Sequence, residues 1–130
     1  MVGLLEPPRL SGLIKLEEDP SYCREKVTVL AGNGSDRVLT LGTVLGRLTA
    51  SGKVIDLALT GTDGSQTVYG VLITNTTAPD GVDAIGVALV RGPAIVADLA
   101  LVYPAGATAT QKATINSALA GLGIVVRSGV

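Results

Sequence analysis

Histidine, phenylalanine and tryptophan are all missing from this 130-residue chain, which carries one cysteine, one methionine and three tyrosines. Each gap closes off some chemistry. Without histidine, the Ser–His and Cys–His nucleophile pairs and imidazole metal sites are out of reach. A single cysteine, Cys23, excludes an internal disulfide and a cysteine-rich zinc site, and it fits a reducing origin such as a bacterial cytoplasm. No base accompanies Cys23 in a recognisable motif, so it reads as an inert thiol rather than a nucleophile. Scarce aromatics and a net charge of −1 speak against nucleic-acid binding, which needs a basic patch or stacking rings. No apolar run reaches the roughly 18 residues of a membrane span. Pro7-Pro8 and Arg9 interrupt the opening residues where a signal peptide would need an unbroken apolar stretch. No cofactor, membrane or nucleic-acid partner is expected.

What remains is Val, Leu, Ile and Ala, with 17 glycines. That mixture suits short strands joined by tight turns, because β-branched side chains fit a pleated surface and glycine supplies the turns. Alternation predicts strands over Glu25–Leu30, Gly42–Thr49, Val54–Leu57, Thr67–Ile73, Ala84–Val90 and Ala94–Val96, with a closing strand over Ile124–Val126. Asn33-Gly34 is a hairpin signal leading into Arg37-Val38-Leu39, and Gly46 marks a bend or a close backbone approach. Polar loops are expected over Thr60–Gln66 and Asn75–Gly81. Thr108-Ala109-Thr110-Gln111 is a capping box; behind it Ile115, Leu119 and Leu122 share one helical face, and Gly121 or Gly123 stops the helix. No repeat of solenoid length is present.

The first 22 residues differ from the rest. After Pro7-Pro8 come Leu10-Ser11-Gly12-Leu13-Ile14-Lys15-Leu16 and the acidic Glu17-Glu18-Asp19. Strand alternation would place Ile14 and Leu16 on one face and Leu13 and Lys15 on the other. Residues 1–22 are therefore expected to form an extended arm outside the core, and residues 23–130 a β-rich domain. The acids read as a solvated run able to complement a basic partner.

Other motifs fall short of catalysis. Gly42–Thr49 lacks the spacing and the Gly-Lys-Ser/Thr ending of a phosphate loop, and Gly32-Asn33-Gly34 opens no helix. Asp63, Asp80 and Asp83 sit in loops without calcium-loop spacing and read as solvated acids. Asn33-Gly34-Ser35 and Asn75-Thr76-Thr77 have glycosylation spacing but read as turn chemistry.

Three stretches resemble the lambda-type bacteriophage head decoration proteins. The first runs from Gly12 to Asp19 and from Tyr22 to Val29. The second is Leu41-Gly42-Thr43-Val44-Leu45-Gly46-Arg47-Leu48-Thr49, followed by Asp63-Gly64-Ser65-Gln66-Thr67 and Gly70-Val71-Leu72. The third comprises Val87–Val96, centred on Val90-Arg91-Gly92-Pro93-Ala94, then Ala109-Thr110-Gln111-Lys112 and Leu122–Arg127. Their order and spacing carry the resemblance along nearly the whole chain. The sequence departs from the best-known member in a longer Asn33–Arg37 segment and an acidic arm.

The resemblance implies a mainly β fold, a small β-clip-like domain with one late helix. It also implies a structural, non-enzymatic role: a homotrimer on the outer surface of the expanded phage head, at three-fold or quasi-three-fold sites, bound to the major capsid protein through its arm. Its setting would be the virion, and the host cytoplasm during assembly. Leu10, Leu13, Ile14, Lys15, Leu16, Glu17 and Glu18 are the expected arm contacts, with Ile14 on the docking face. Strand addition to a capsid sheet edge is the expected mode, strengthened by three arms per trimer. Two alternatives stand beside it: a trimeric β-fold nucleotide hydrolase, and a module binding host-surface glycans through Asn75–Thr77.

Overall fold

In the computed structural model, which describes residues 10–128, the chain is mainly β with one long helix near its end, as expected. Strands β2 (Arg24–Val29) and β8 (Ala84–Leu89) pair antiparallel along their whole length, from Arg24 opposite Leu89 to Val29 opposite Ala84. Strands β4 (Val44–Arg47) and β5 (Val54–Asp56) form a hairpin through the Ala50–Lys53 turn. Strand β6 (Val68–Leu72) lies between β4 and β8. One parallel contact, Val29 with Val54, closes a five-stranded barrel in the order β2-β5-β4-β6-β8. Closure through this one pair joins the two end strands of the sheet.

Alternate residues of the barrel strands feed two separate cores. Leu45, Leu72 and Ala88 point into one with Val29 and Val54. Their neighbours Val44, Val71 and Leu89 point into the other, where they meet Leu13, Val96, Ile115, Leu119 and Ile124. Both faces of these strands are covered, which explains why the sequence shows apolar runs rather than strict alternation. Gly46 lies so close to Ser65 that an added Cβ would stand 2.1 Å from its carbonyl oxygen. The close approach expected at this glycine is present, and the β4–β6 register shifts there.

Helix α3 (Ala109–Gly121) carries the expected capping box: Thr108 Oγ1 accepts from the Gln111 amide at 3.2 Å, and Gln111 Oε1 accepts from the Thr108 amide at 2.8 Å. Ile115 and Leu119 are buried, and Leu122 packs against them half-buried just past the helix end. Gly123, at φ 86°, makes the turn into β10 (Ile124–Arg127). Strand β10 runs parallel to β9 (Ala94–Ala97), and β9 also pairs antiparallel with β1 (Ile14–Glu17), giving a three-stranded sheet β1-β9-β10.

Two sequence expectations need correction. Asn33-Gly34 makes a turn but no hairpin: β3 (Arg37–Leu39) pairs not with β2 but with β7 (Thr76–Ala78), inside the segment expected to be a loop. Strand β8 takes one edge of β2, and Val54 of β5 meets Val29 at the end of the other edge, where a hairpin from Asn33-Gly34 would begin, so β3 pairs elsewhere. The second correction concerns the N-terminal segment. Residues 10–22 are not apart from the core. Short helices α1 (Leu10–Leu13) and α2 (Pro20–Cys23) flank β1, and Leu13 and Cys23 are fully buried. Burying a leucine is worth about 1.5–3 kcal/mol, which favours a docked segment over a free one. Residues 1–9 of the expected arm lie outside the described residues.

Candidate functional site

The N-terminal segment is built onto the domain through β9. Ile14 lies opposite Val96, Leu16 opposite Ile95 and Glu17 opposite Ala94, with a bulge between Ile14 and Leu16. The bulge breaks the alternation read from the sequence: Ile14 packs half-buried against the core, whereas Leu16 is 48 % exposed. Ile14 and Leu16 therefore do not share an environment, and Leu16, not Ile14, faces outward.

The remaining expected contact residues divide in the same way. Leu13 is wholly interior and Leu10 packs against the same core, so neither presents a contact surface. Lys15, at the bulge, is exposed and its Nζ donates to the Ser11 carbonyl at 3.1 Å. Glu17 is not a solvated acid. Its carboxylate accepts from Arg24 Nε at 2.8 Å and Nη2 at 2.7 Å, a two-pronged ion pair in which the Glu17 side chain is only 7 % exposed. That hydrogen bond holds the Arg24 guanidinium more firmly protonated than usual. Glu18 is exposed while its amide donates to the Pro93 carbonyl at 3.0 Å. Asp19 caps α2, accepting from the Ser21 amide at 3.0 Å and from the Ser21 hydroxyl at 2.7 Å, and these bonds lower its pKa.

The sheet brings together residues that are far apart in sequence. Ile95 lies opposite both Leu16 on β1 and Val125 on β10. Val125 is 39 % exposed, so Leu16, Ile95 and Val125 form an apolar row across the outer face of three strands. Ile95 and Val125 escaped the sequence reading, although the in–out alternation of Ile124-Val125-Val126 was a usable signal; only pairing through β9 joins them to Leu16. Strands β1 and β10 each pair with β9 alone among the described strands, so each keeps one edge open.

Beside this sheet, the turn after β8 carries Arg91, whose guanidinium lies 5.0 Å from the ring centre of Tyr22. Arg91 also donates to the Tyr22 carbonyl and, at 2.5 Å, to Glu25 Oε2. Tyr22 stays 58 % exposed. The sheet thus offers an apolar row, and the neighbouring turn an exposed aromatic ring with paired charges; features of both kinds suit adhesion to another protein.

Elsewhere, loop residues weighed for chemistry serve the fold. Asn75 Oδ1 accepts from the Leu41 amide at 2.8 Å. Asp63 accepts from the hydroxyl and amide of Ser65, which lowers its pKa. Asp83 pairs with Lys53 at 2.7 Å and accepts from the Ala31 amide; both contacts lower its pKa, the lysine most. Cys23 is fully enclosed beside the Pro93 carbonyl.

No curated protein matches the chain. The family model described as bacteriophage lambda head decoration protein D matches residues 3–124, nearly the full length, and on that match the chain belongs to this family of head decoration proteins.

Proposed function

We propose that this protein is a structural component of a phage virion that decorates and braces the capsid and does not act as an enzyme. It binds the outer surface of the expanded head as a homotrimer at three-fold or quasi-three-fold sites. The major capsid protein is its partner, and the N-terminal segment of residues 1–22 carries the contact. Before assembly the protein resides in the host cytoplasm.

Family membership supports the decorating role. The observation that carries the contact assignment is the sheet β1-β9-β10, which puts the exposed Leu16 and Val125 in one row with the half-buried Ile95 and, among the described strands, leaves the outer edge of β1 open. A capsid segment can add to that edge while its side chains cover the row. One short strand binds weakly; three per trimer, matched to three docking edges, multiply the effect through effective concentration.

The test is sedimentation of purified expanded heads with the wild-type protein and with Leu16→Asp. Leu16 is half-exposed, so the variant should fold normally yet lose most head binding, because docking would bury an unpaired carboxylate. Undiminished decoration by Leu16→Asp would remove this sheet from the contact. Electron microscopy of decorated heads checks the three-fold placement, and light scattering checks the trimer.

A further inference from the structure

The chain contains three dipeptides in which Asn or Asp precedes Gly: Asn33-Gly34, Asp63-Gly64 and Asp80-Gly81. Such pairs are chemically fragile. The glycine nitrogen attacks the side-chain Cγ of the preceding residue, and no side chain on glycine hinders the approach. From asparagine, the N–Cγ bond forms as the amide proton passes to solvent and ammonia leaves, giving a five-membered succinimide. Water then opens either carbonyl to yield aspartate or isoaspartate. The net change at Asn33 consumes one water, releases one ammonia and creates a carboxylate. The aspartate pairs follow the same route with loss and regain of water.

In this fold the amide N–H of all three glycines is already engaged. Gly64 N–H donates to Gln66 Oε1 at 2.9 Å. The other two pairs face each other and guard each other. Gly34 N–H donates to Asp80 Oδ1 at 2.9 Å, and Gly81 N–H donates to the Gly32 carbonyl at 3.0 Å. Two further bonds clamp the same loops: Gly32 N–H to the Pro79 carbonyl at 3.1 Å and Asp80 N–H to Asp36 Oδ1 at 3.0 Å. Asn33 itself is exposed, so water reaches it freely.

We propose that Asn33 is a latent site of spontaneous covalent modification, and that the carboxylate of Asp80 is its guard. Two physical effects act in the same direction. A hydrogen bond to the carboxylate fixes the Gly34 amide plane, so its nitrogen cannot turn onto Cγ of Asn33. The neighbouring negative charge also opposes loss of the amide proton, because it would face the anion left behind. The second aspartate–glycine pair cannot react without first opening the same clamp. The loop thereby preserves its neutral Asn33 through long storage, whatever the protein binds.

The experiment is long incubation of the intact protein at neutral pH, followed by peptide mapping of residue 33 by mass spectrometry and enzymatic detection of isoaspartate. Four samples are compared: wild type, Asp80→Ala, Asp36→Ala and wild type unfolded in urea. Hydrogen exchange of β2 and β8 verifies that the folded samples keep their barrel. Asp80→Ala should convert Asn33 about tenfold faster than wild type or more, the factor that matches loss of a hydrogen bond to a charged group. Asp36→Ala loosens the clamp but keeps the guard, and should accelerate conversion less. Wild type modifying as fast as the urea-unfolded chain, or Asp36→Ala matching Asp80→Ala, would overturn the proposal. Should Asp80→Ala lose its barrel, the ratios of Asp36→Ala and unfolded chain to wild type decide: wild type must be the slowest and Asp36→Ala must fall well short of the unfolded chain.

Discussion

The closed barrel and the three-stranded sheet β1-β9-β10 are made of the same residue types but treat their surfaces in opposite ways. The barrel strands β4 and β6, and the Ala88-Leu89 end of β8, bury both faces, one in each core, although Ile85 at the other end of β8 stays 68 % exposed. The sheet buries one face, through Val96 and Ile124, against which Leu13 of α1 packs, and among the described strands it leaves an apolar row and two strand edges outside. Enclosed packing and exposed apolar surface thus dominate in different regions. The N-terminal segment belongs to both, because Leu13 is interior while Leu16, three residues later, is half-exposed.

That double role is most open to attack at the segment itself. Deleting residues 1–22 removes Leu13, strand β1 and the Glu17 partner of Arg24. The deletion should cost several kcal/mol, a large share of the roughly 5–15 kcal/mol that holds a typical domain, and should abolish cooperative melting. If this deletion melts like wild type, the segment is an appendage and the two regions are separate after all.

Next in size is the shared core beneath the sheet. Leu119→Ala should lower stability by about 2–4 kcal/mol in urea denaturation, since Leu119 is fully enclosed and its neighbours can collapse only in part. A loss near zero would mean that α3 contributes little to holding the sheet on the barrel.

Glu17→Gln should cost about 1–3 kcal/mol, because it leaves the Arg24 guanidinium half-buried without its charged acceptor. Arg24→Lys should cost less, keeping the charge while losing the two-pronged geometry. Equal effects of the two changes would show that charge alone, and not the fork, ties the segment to β2.

The smallest expected effect distinguishes the loops from both regions. Asp19, Asp63 and Asp83 have pKa values below the ordinary 3.8, through Ser21, Ser65 and Lys53 respectively. A lowered folded-state pKa gives stability that is present above the unfolded value and lost as pH falls through the folded one. Melting temperature should therefore hold steady down to about pH 4 and decline below it, modestly because all three groups are exposed. Asp83→Asn should flatten part of that decline.

Much of the fold was legible in the chain. The strands over β2, β4, β5, β6, β8, β9 and β10 follow from β-branched runs punctuated by glycine, and helix α3 from a capping box whose two hydrogen bonds are both formed. Strand β7 was not legible: Thr76-Thr77-Ala78 has no apolar run, and its pairing with β3 is settled by neighbours distant in sequence. The site was legible in part. Local alternation placed Ile14 and Leu16 together on one face, with Ile14 as the leading contact, but a bulge, invisible in sequence, shifts the register by one residue and leaves Ile14 half-buried and Leu16 exposed. Ile95 and Val125 were missed because their proximity to Leu16 exists only across strands.

Composition and local pattern alone determined that this is a β-rich chain without histidine chemistry, with one well-capped helix and glycine-made turns, because those properties depend on side-chain shape and on contacts within a few residues. Tertiary structure alone decided that the N-terminal segment lies against the domain, that two cores share the same strands, and that Leu16, Ile95 and Val125 form one surface. Those outcomes depend on which strand edges are still free when the barrel closes, and strand pairing between distant residues leaves no periodic trace in the chain.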